Sequence, residues 1–296
     1  MPEFIQAGVY PSDHREGLPI RNDLRQLDAS NKLHLIPTLL ADRKEQNTNW
    51  YFQRNPQTKT YQLNELFDRW EKDTPEYEGV FIRDGIIDEE LWNAPDNKRI
   101  LFIAKEANDK GVDHKSLLMH ERDFRVWWNG EISHAFSYRI AEWAHGIKKD
   151  FPEFDSFYEQ KEWHGTYSDS LRSIAFMDVK KSAGKGSANH DLVLKAITDH
   201  REQLLRQIEI IQPELIVSSL VERELMEALF ESQPGDIQWQ KSGYVRCIFK
   251  WKGIPVIDFY HPSGQGAPAA IYSLLQNIVR SPQFNQMADW QKKANS

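Results

Sequence analysis

The sequence predicts an α/β fold, a three-layer sandwich around a central, mainly parallel sheet, with an N-terminal helical appendage. Three continuous apolar runs indicate buried parallel strands, because a strand covered on both faces needs no alternation of polar and apolar residues. These runs are ILFIAKEAND (100–109), IAFMDVKK (174–181) and VIDFYHPSG (256–264). Segments with helical spacing lie between and after them, and this alternation of strand and helix is typical of an α/β protein.

The other segments predict the remaining elements in order. EGVFIRDGIID (78–88) predicts a hairpin or edge strand, and ITDHREQLLRQIEIIQPELIVSSL (197–220) predicts a helix followed by a strand. VERELMEALFES (221–232) predicts a helix, and the alternating YVRCIFKW (244–251) predicts a strand. The last helix, over 267–281, has a proline in its first turn, where the missing N–H costs nothing.

Two boundaries divide the chain in this prediction. Residues 1–75 form the appendage of helix and loop, in which 33–43 and 61–72 have helix-like apolar spacing and no chemistry is recognised. Residues 76–282 form the main α/β domain. Residues 283–296 form a polar C-terminal tail that is expected to fray.

Composition excludes several classes of protein. The 296 residues are 40% hydrophobic, which is enough for a sizeable core. There is no long apolar run and no basic-then-apolar leader, so we expect a cytoplasmic protein without a membrane partner. The single cysteine, Cys247, excludes an internal disulfide framework and a four-cysteine iron–sulfur cluster, and we expect it to be a small core residue. The ten histidines have no ligand spacing, so neither a metal nor another cofactor is expected.

Charge argues for a local rather than a general contact with nucleic acid. The net charge of −7 disfavours a protein that coats nucleic acid nonspecifically. The segment VKKSAGKGS (179–187) contains Lys180, Lys181 and Lys185, and its two glycines let backbone amides approach a phosphate closely. A flexible solvated loop is the alternative, but the position of the segment after the second strand favours phosphate contact.

The polar residues that follow the three apolar runs should share one crevice, because ligands of open α/β sheets bind beyond the carboxyl ends of the strands. They are Lys105, Glu106, Asn108 and Asp109 after the first run, Asp178, Lys180 and Lys181 after the second, and His261 and Ser263 after the third. A carboxylate, an amide and a histidine at one rim can do acid/base and hydrogen-bonding chemistry, which packing would not require.

Three motifs in order resemble the uracil-DNA glycosylase superfamily. ILFIAKEAND is similar to the first motif, in which a strand runs into a Gly-Glu-Ala-Pro-Gly-like turn, and FMDVKKSAGKG (176–186) with the following helix and strand resembles the middle block. FYHPSG (259–264) resembles the closing His-Pro-Ser motif. The resemblance covers residues 80 to 282 and implies an α/β sandwich that flips a base out of DNA and breaks its N-glycosidic bond.

The resemblance implies the catalytic roles. Glu106 matches the glutamate of the first motif and would stabilise the sugar cation and position water, while Asn108 and Asp109 are fallback candidates, since other branches place the water-activating residue one or two positions later. His261 matches the motif histidine and would donate a hydrogen bond to the departing base oxygen. The alternatives are a surface charge on a loop for Glu106 and a turn cap before Pro262 for His261.

Departures from the family bear on which base is removed. Asp178 occupies the position where uracil-excising relatives carry an asparagine that reads the base edge. A carboxylate accepts but cannot donate, so it would complement the amino group of cytosine and repel O4 of uracil. Asp109 replaces a tyrosine that blocks the 5-position, so a 5-substituted base would fit. The leucine that wedges into the duplex is absent, and Gln265 stands in its place.

Aromatic residues crowd the stretch 120–165, and most of them should be core residues. One or two near the crevice could stack on a base. Phe124 is the first choice, since related enzymes place an aromatic shortly after the first motif. The stretch contains Phe124, Trp127, Trp128, Phe136, Tyr138, Trp143, Phe151, Phe154, Phe157, Tyr158 and Trp163.

The sequence therefore predicts a monofunctional DNA glycosylase, with a 5-modified cytosine, as in modified phage DNA, as the preferred base and antiviral defence as the expected setting. A uracil or hypoxanthine repair enzyme and a noncatalytic module that binds a nucleotide or modified DNA are the alternatives. Base contacts are expected from Asp178, Phe124 and Ala107. DNA contacts are expected from Lys105, Lys180, Lys181, Lys185, Ser263 and Gln265.

Overall fold

The structure of the protein, a computed structural model, describes residues 55–108, 122–130, 135–155, 163–184, 187–244, 246–264 and 266–288. The strands in these ranges are β1 (Gly85–Ile86), β2 (Ile100–Asn108), β3 (Ala175–Gly184), β4 (Leu215–Ser218), β5 (Gln240–Lys241), β6 (Cys247–Trp251) and β7 (Ile254–Asp258). They form one sheet in the order β1-β3-β2-β4-β7-β6-β5.

The four central strands β3, β2, β4 and β7 run parallel to one another. The outer strands β1, β6 and β5 pair antiparallel. This confirms the prediction of an α/β protein with a mainly parallel central sheet. The three-layer arrangement and the N-terminal appendage stay predictions.

Capping residues and prolines mark the starts of several helices. Thr58 caps the first helix, because its hydroxyl accepts a hydrogen bond from the backbone N–H of Tyr61. Pro268 is the first residue of the helix that the sequence predicted to begin there. The helices are α1 (Lys59–Asp73), α2 (Glu89–Trp92), α3 (Phe124–Gly130), α4 (Ala135–Lys148), α5 (Trp163–Arg172), α6 (His190–Ile211), α7 (Arg223–Phe230), α8 (Pro268–Val279) and α9 (Pro282–Met287), with a short 3₁₀ turn at Pro75–Tyr77.

Side chains of the central strands alternate between two buried clusters, as the period of a strand requires. The first core face takes Phe102, Phe176, Val217 and Ile257 from the sheet, together with residues of α3, α4 and α8. The second core face takes Leu101, Met177, Ile216 and Val256, together with residues of α1, α6 and α7. As far as Glu106 in β2 and Lys181 in β3, the parity of a residue therefore decides which core face its side chain joins, whereas Ala107, at the register irregularity, packs in the first core face.

The two core faces include residues on both sides of the predicted domain. Helix α1, which the sequence analysis placed in the appendage, buries Leu63, Phe67 and Trp70 in the second core face. Helix α9 lies in the predicted polar tail, yet Phe284 and Met287 are buried in the first core face. Both helices present apolar residues at a spacing of three or four, which matches one helical stripe.

The structure also bears on the cysteine and on membrane-spanning segments. Cys247, expected in the core, is a half-buried free thiol at the start of β6. Among the residues that the structure describes, no helix combines the length and the apolar character that a membrane span needs.

Candidate active site

The carboxyl ends of β2 and β3 place the first site residues side by side. Parallel pairing sets Ala104 opposite Asp178 and Glu106 opposite Lys180. These positions have the parity of Phe102 and Phe176, so their side chains belong to the first core face. For the group formed by Glu106, Asp178, Lys180, His261 and Phe136 we keep the name crevice from the sequence prediction.

Glu106 and Lys180 form a nearly buried ion pair. The ammonium of Lys180 donates to Oε2 of Glu106 at 2.6 Å, and the two side chains are 7% and 14% exposed for the glutamate and the lysine. Lys180 also donates to the backbone carbonyls of Ser182 and Ala183, at 3.0 and 3.4 Å. These contacts can engage its three N–H groups within the protein, and the phosphate contact of Lys180 stays a prediction. The alternative of an exposed surface charge is wrong for Glu106.

The absence of a side chain at Gly184 leaves space for the carboxylate of Glu106. The residue ends β3 and pairs with Asn108, past an irregularity in the register of the two strands. A Cβ atom at Gly184 would overlap the carboxylate of Glu106. The glycine therefore permits a close approach, as the sequence suggested, but to a carboxylate of the protein.

Asp178 is buried without a partner for its carboxyl group. The residue is 2% exposed, and neither carboxyl oxygen has a hydrogen-bond partner within the described ranges. Burial raises the pKa of Asp178 well above its ordinary value, the carboxylates of Asp84 and Glu106 raise it further, and Lys181 and Lys180 oppose the shift. A protonated carboxyl group has one donor and one acceptor. When protonated, Asp178 can therefore donate a hydrogen bond as well as accept one, unlike the carboxylate assumed in the sequence prediction.

His261 follows β7 and is held in a tight turn. Its Nδ1 accepts a hydrogen bond from the backbone N–H of Ser263 at 3.2 Å, so the proton of the neutral ring lies on Nε2. Burial lowers the pKa of His261, and the positive charge of Lys105 lowers it further. A neutral imidazole with an Nε2–H donor is suited to bind a developing oxyanion.

Phe136, in the first turn of α4, lies between the start of β3 and the turn after β7. Its ring centroid lies 5.5 Å from that of His261 and 5.7 Å from that of Phe176, and its side chain is partly buried. Phe124, the predicted stacking residue, is only 4% exposed and packs against Trp128 and Phe176 at 5.3 and 5.0 Å. Phe124 is thus a core residue. Phe136 is the aromatic side chain at the crevice, and only the packing of α4 distinguishes it from its neighbours.

Lys181 is the clearest correction to the predicted DNA contacts. It is 0% exposed, and its ammonium donates to both carboxylate oxygens of Asp84 at 2.8 and 2.7 Å. The side chain of Gln207 donates to the same carboxylate at 2.6 Å. The prediction of a phosphate contact is wrong, because β3 continues through Lys181 and the alternation of the strand turns this side chain to the second core face.

Sequence reasoning missed Asp84, which accepts four hydrogen bonds behind the crevice. Its Oδ2 accepts from the backbone N–H of Asp178 at 2.8 Å, in addition to the contacts from Lys181 and Gln207. The only available signal was a carboxylate in the mostly apolar run EGVFIRDGIID. A charge flanked by apolar residues is compatible with an exposed turn as well as with a buried pair, so the pattern did not identify it.

The remaining predicted residues lie at several depths. Lys105 points away from the first core face and pairs with both carboxylate oxygens of Glu222, at 2.9 and 2.6 Å. Ala107 is buried, Ser263 is exposed, and Asn108 is the last residue of β2. Contacts of these residues with DNA or a base stay predictions. Asp109, Lys185 and Gln265 lie outside the described residues.

A metal centre is not assembled in the described part of the chain. Within those ranges no three side chains of His, Cys, Asp or Glu come together as metal ligands. In the comparisons with known proteins, no family model matches the sequence, and no curated protein is similar to it.

Proposed function

We propose that the chain is a monofunctional DNA glycosylase that hydrolyses the N-glycosidic bond of a flipped, modified base and leaves an abasic site. The main support is the buried Glu106–Lys180 ion pair beside the unpartnered carboxyl group of Asp178, at the sheet edge where His261 follows β7. The sequence resemblance extends the proposal to a three-layer sandwich with an N-terminal appendage, acting on DNA in the prokaryotic cytoplasm.

Each crevice residue has a distinct part in this reaction. The Glu106 carboxylate stabilises the positive charge that develops on the sugar and orients the attacking water. The neutral ring of His261 donates from Nε2 to the base oxygen on which negative charge accumulates. Phe136 offers a ring near His261 on which a flipped base can stack.

The preferred substrate is a 5-modified cytosine, as found in modified phage DNA. A protonated Asp178 can donate to the ring nitrogen N3 of cytosine and accept from its amino group. The same acid can donate to O4 of uracil and accept from its N3–H, and this favours keeping uracil repair as a second candidate. Room at the 5-position of the base depends on Asp109, so the preference for a 5-modified cytosine rests on the sequence resemblance. The following experiment tests it.

The test is a panel of matched duplex and single-stranded oligonucleotides. Each carries one base: uracil, hypoxanthine, cytosine, 5-hydroxymethylcytosine or 5-hydroxymethyluracil. Single-turnover release is scored by alkaline cleavage of abasic sites, and Glu106→Gln serves as a control of equal size without the negative charge.

We expect wild-type protein to release a 5-modified cytosine and the Glu106→Gln variant to be slower by about 10²-fold or more. Release of uracil or hypoxanthine alone would support the repair candidate and contradict the preferred base. If the protein binds DNA but forms an abasic site from no base of the panel, this result would contradict the glycosylase proposal and support a noncatalytic binding module.

A further inference from the structure

We propose that Asp178 is a general acid, which transfers a proton to the ring nitrogen N3 of a cytosine-type base as its glycosidic bond breaks. This role rests on the proposed glycosylase function and assigns that function a leaving-group acid. It differs from the predicted role of Asp178, in which a carboxylate only accepts hydrogen bonds from the base.

The position of Asp178 leaves its carboxyl group available to donate a proton to a ligand. Its side chain is in the first core face, and neither of its carboxyl oxygens has a partner among the described residues. Lys181, three positions after Asp178 in β3, is turned to the opposite face and is held by Asp84. Lys180, on the same side, is occupied by Glu106 and backbone carbonyls. A buried polar group normally has a hydrogen-bond partner, so an unpartnered one at the crevice indicates a ligand contact.

The surrounding charges favour the protonated form of this group. Asp84 approaches from the segment before β1, since its carboxylate accepts from the backbone N–H of Asp178. Glu106 faces it from β2, and Lys180 and Lys181 are its charged neighbours in β3. Burial first, and then the two carboxylates, raise the pKa of Asp178, against the effect of the two lysines. A proton is thus available for transfer at a pH where an exposed aspartate would have lost it.

A cytosine-type base benefits from such a proton when it leaves. As the bond between C1′ and N1 breaks, its electron pair moves onto the base. The O–H bond of Asp178 breaks and an N3–H bond forms, so the base departs as a neutral tautomer and Asp178 becomes a carboxylate. Water adds to C1′ and loses its proton to Glu106 or to solvent, and solvent returns a proton to Asp178 after release. A uracil-type base already carries hydrogen on N3 and leaves as an anion, which His261 can stabilise without this transfer.

The experiment compares wild type with Asp178→Asn, which keeps one donor and one acceptor but has no transferable proton. Single-turnover release is measured from pH 5 to 9 on matched oligonucleotides that carry 5-hydroxymethylcytosine or 5-hydroxymethyluracil. Thermal unfolding verifies that the variant is folded, and the pH profile of the wild type on both bases needs no variant at all.

We expect Asp178→Asn to slow release of the cytosine-type base by about 10²- to 10⁴-fold and to slow release of the uracil-type base far less. For the wild type, release of the cytosine-type base should fall as pH rises through the raised pKa of Asp178, whereas the variant should lack this fall.

Equal losses on both bases, or a wild-type rate on the cytosine-type base that does not fall with pH, would overturn the general-acid role while the glycosylase proposal survives. Release of only the uracil-type base by the wild type would do the same. A wild type that releases neither these bases nor any other base of the panel would overturn both proposals together.

Discussion

Glu106 is positioned by one cation and by one glycine. Lys180 donates to its Oε2 at 2.6 Å, and the missing side chain of Gly184 leaves room for the carboxylate. A charge-assisted hydrogen bond in a nearly buried position is stronger and better oriented than one in water. Under the proposed mechanism, Lys180 is therefore a positioning residue for Glu106, and its effect on base release should be separable from any effect on DNA binding.

Lys180→Met should slow base release by about 10²-fold, because a small displacement of a catalytic group has an effect of that size. The slope of log affinity against log salt should not change, whereas loss of a phosphate contact would reduce it by about 0.9. The measurements are single-turnover release and binding at several salt concentrations. Lys195→Met, whose side chain is 67% exposed on α6, is the matched control. A reduced salt slope with normal release would support the phosphate role of Lys180.

His261→Gln should reduce single-turnover release by about 10²- to 10³-fold and leave DNA affinity near that of the wild type. The reason is that the neutral ring donates from Nε2 only to charge that develops as the bond breaks. Release assays and equilibrium binding are measured together, with His190→Gln, the same substitution at a partly exposed position of α6, as the matched control. Normal release by His261→Gln would remove the histidine from the mechanism.

At the scale of elements, β3 gives opposite roles to two consecutive lysines. Lys180 joins the crevice and Lys181 joins a buried pair with Asp84, because successive side chains of a strand point to opposite faces. The ammonium of Lys181 also lies 5.6 Å from the ring centroids of Phe67 and Trp70 of α1. The strand thus connects the crevice to the packing of α1 on the second core face.

Lys181→Met should lower the free energy of unfolding by about 3 to 5 kcal/mol, since removing one partner leaves the buried carboxylate of Asp84 without its counter-charge. Urea denaturation measures the change. Lys250→Met, at an exposed position of β6, is the control and should change the free energy by no more than about 0.5 kcal/mol. Equal stability of the two variants would show that the pair with Asp84 contributes little.

At the scale of the whole molecule, the sheet concentrates chemistry at one edge and buries an acid there. Glu106 lies two residues before the end of β2, Asp178 and Lys180 lie within β3, and His261 follows the end of β7 by three residues. Burying an acid in its charged form is unfavourable, so the protonation of Asp178 is coupled to folding of the entire domain. This coupling is measurable without any substrate.

The stability of the wild type should fall as pH rises from the ordinary range of an aspartate, about 4, through the raised pKa of Asp178. In this window the folded state binds the proton that the unfolded state has already lost, so the slope is negative. Asp178→Asn removes this titration, and its free energy of unfolding relative to the wild type should therefore increase with pH. Urea denaturation across the window measures both slopes, and identical slopes would contradict a raised pKa.

The sequence by itself determined the α/β class, the order of most elements and the ends of the strands that bear the crevice. Continuous apolar runs report burial on both faces, and a polar residue directly after such a run must lie at the edge of the sheet. For that reason Glu106 and His261 could be named before their surroundings were known, and the start of α8 could be read from Pro268.

Only the tertiary structure decided what these residues contact. Strand β3 continues past the apolar run to Gly184, and for this reason Lys181 is a buried strand residue. The pairing of β1 with β3 brings Asp84 to the backbone of Asp178, which lies 94 positions later in the sequence. The choice of Phe136 over Phe124 depended on helix packing. The raised pKa of Asp178 depends first on its burial and then on neighbouring charges, and these are properties of the folded chain that no local pattern of residues contains.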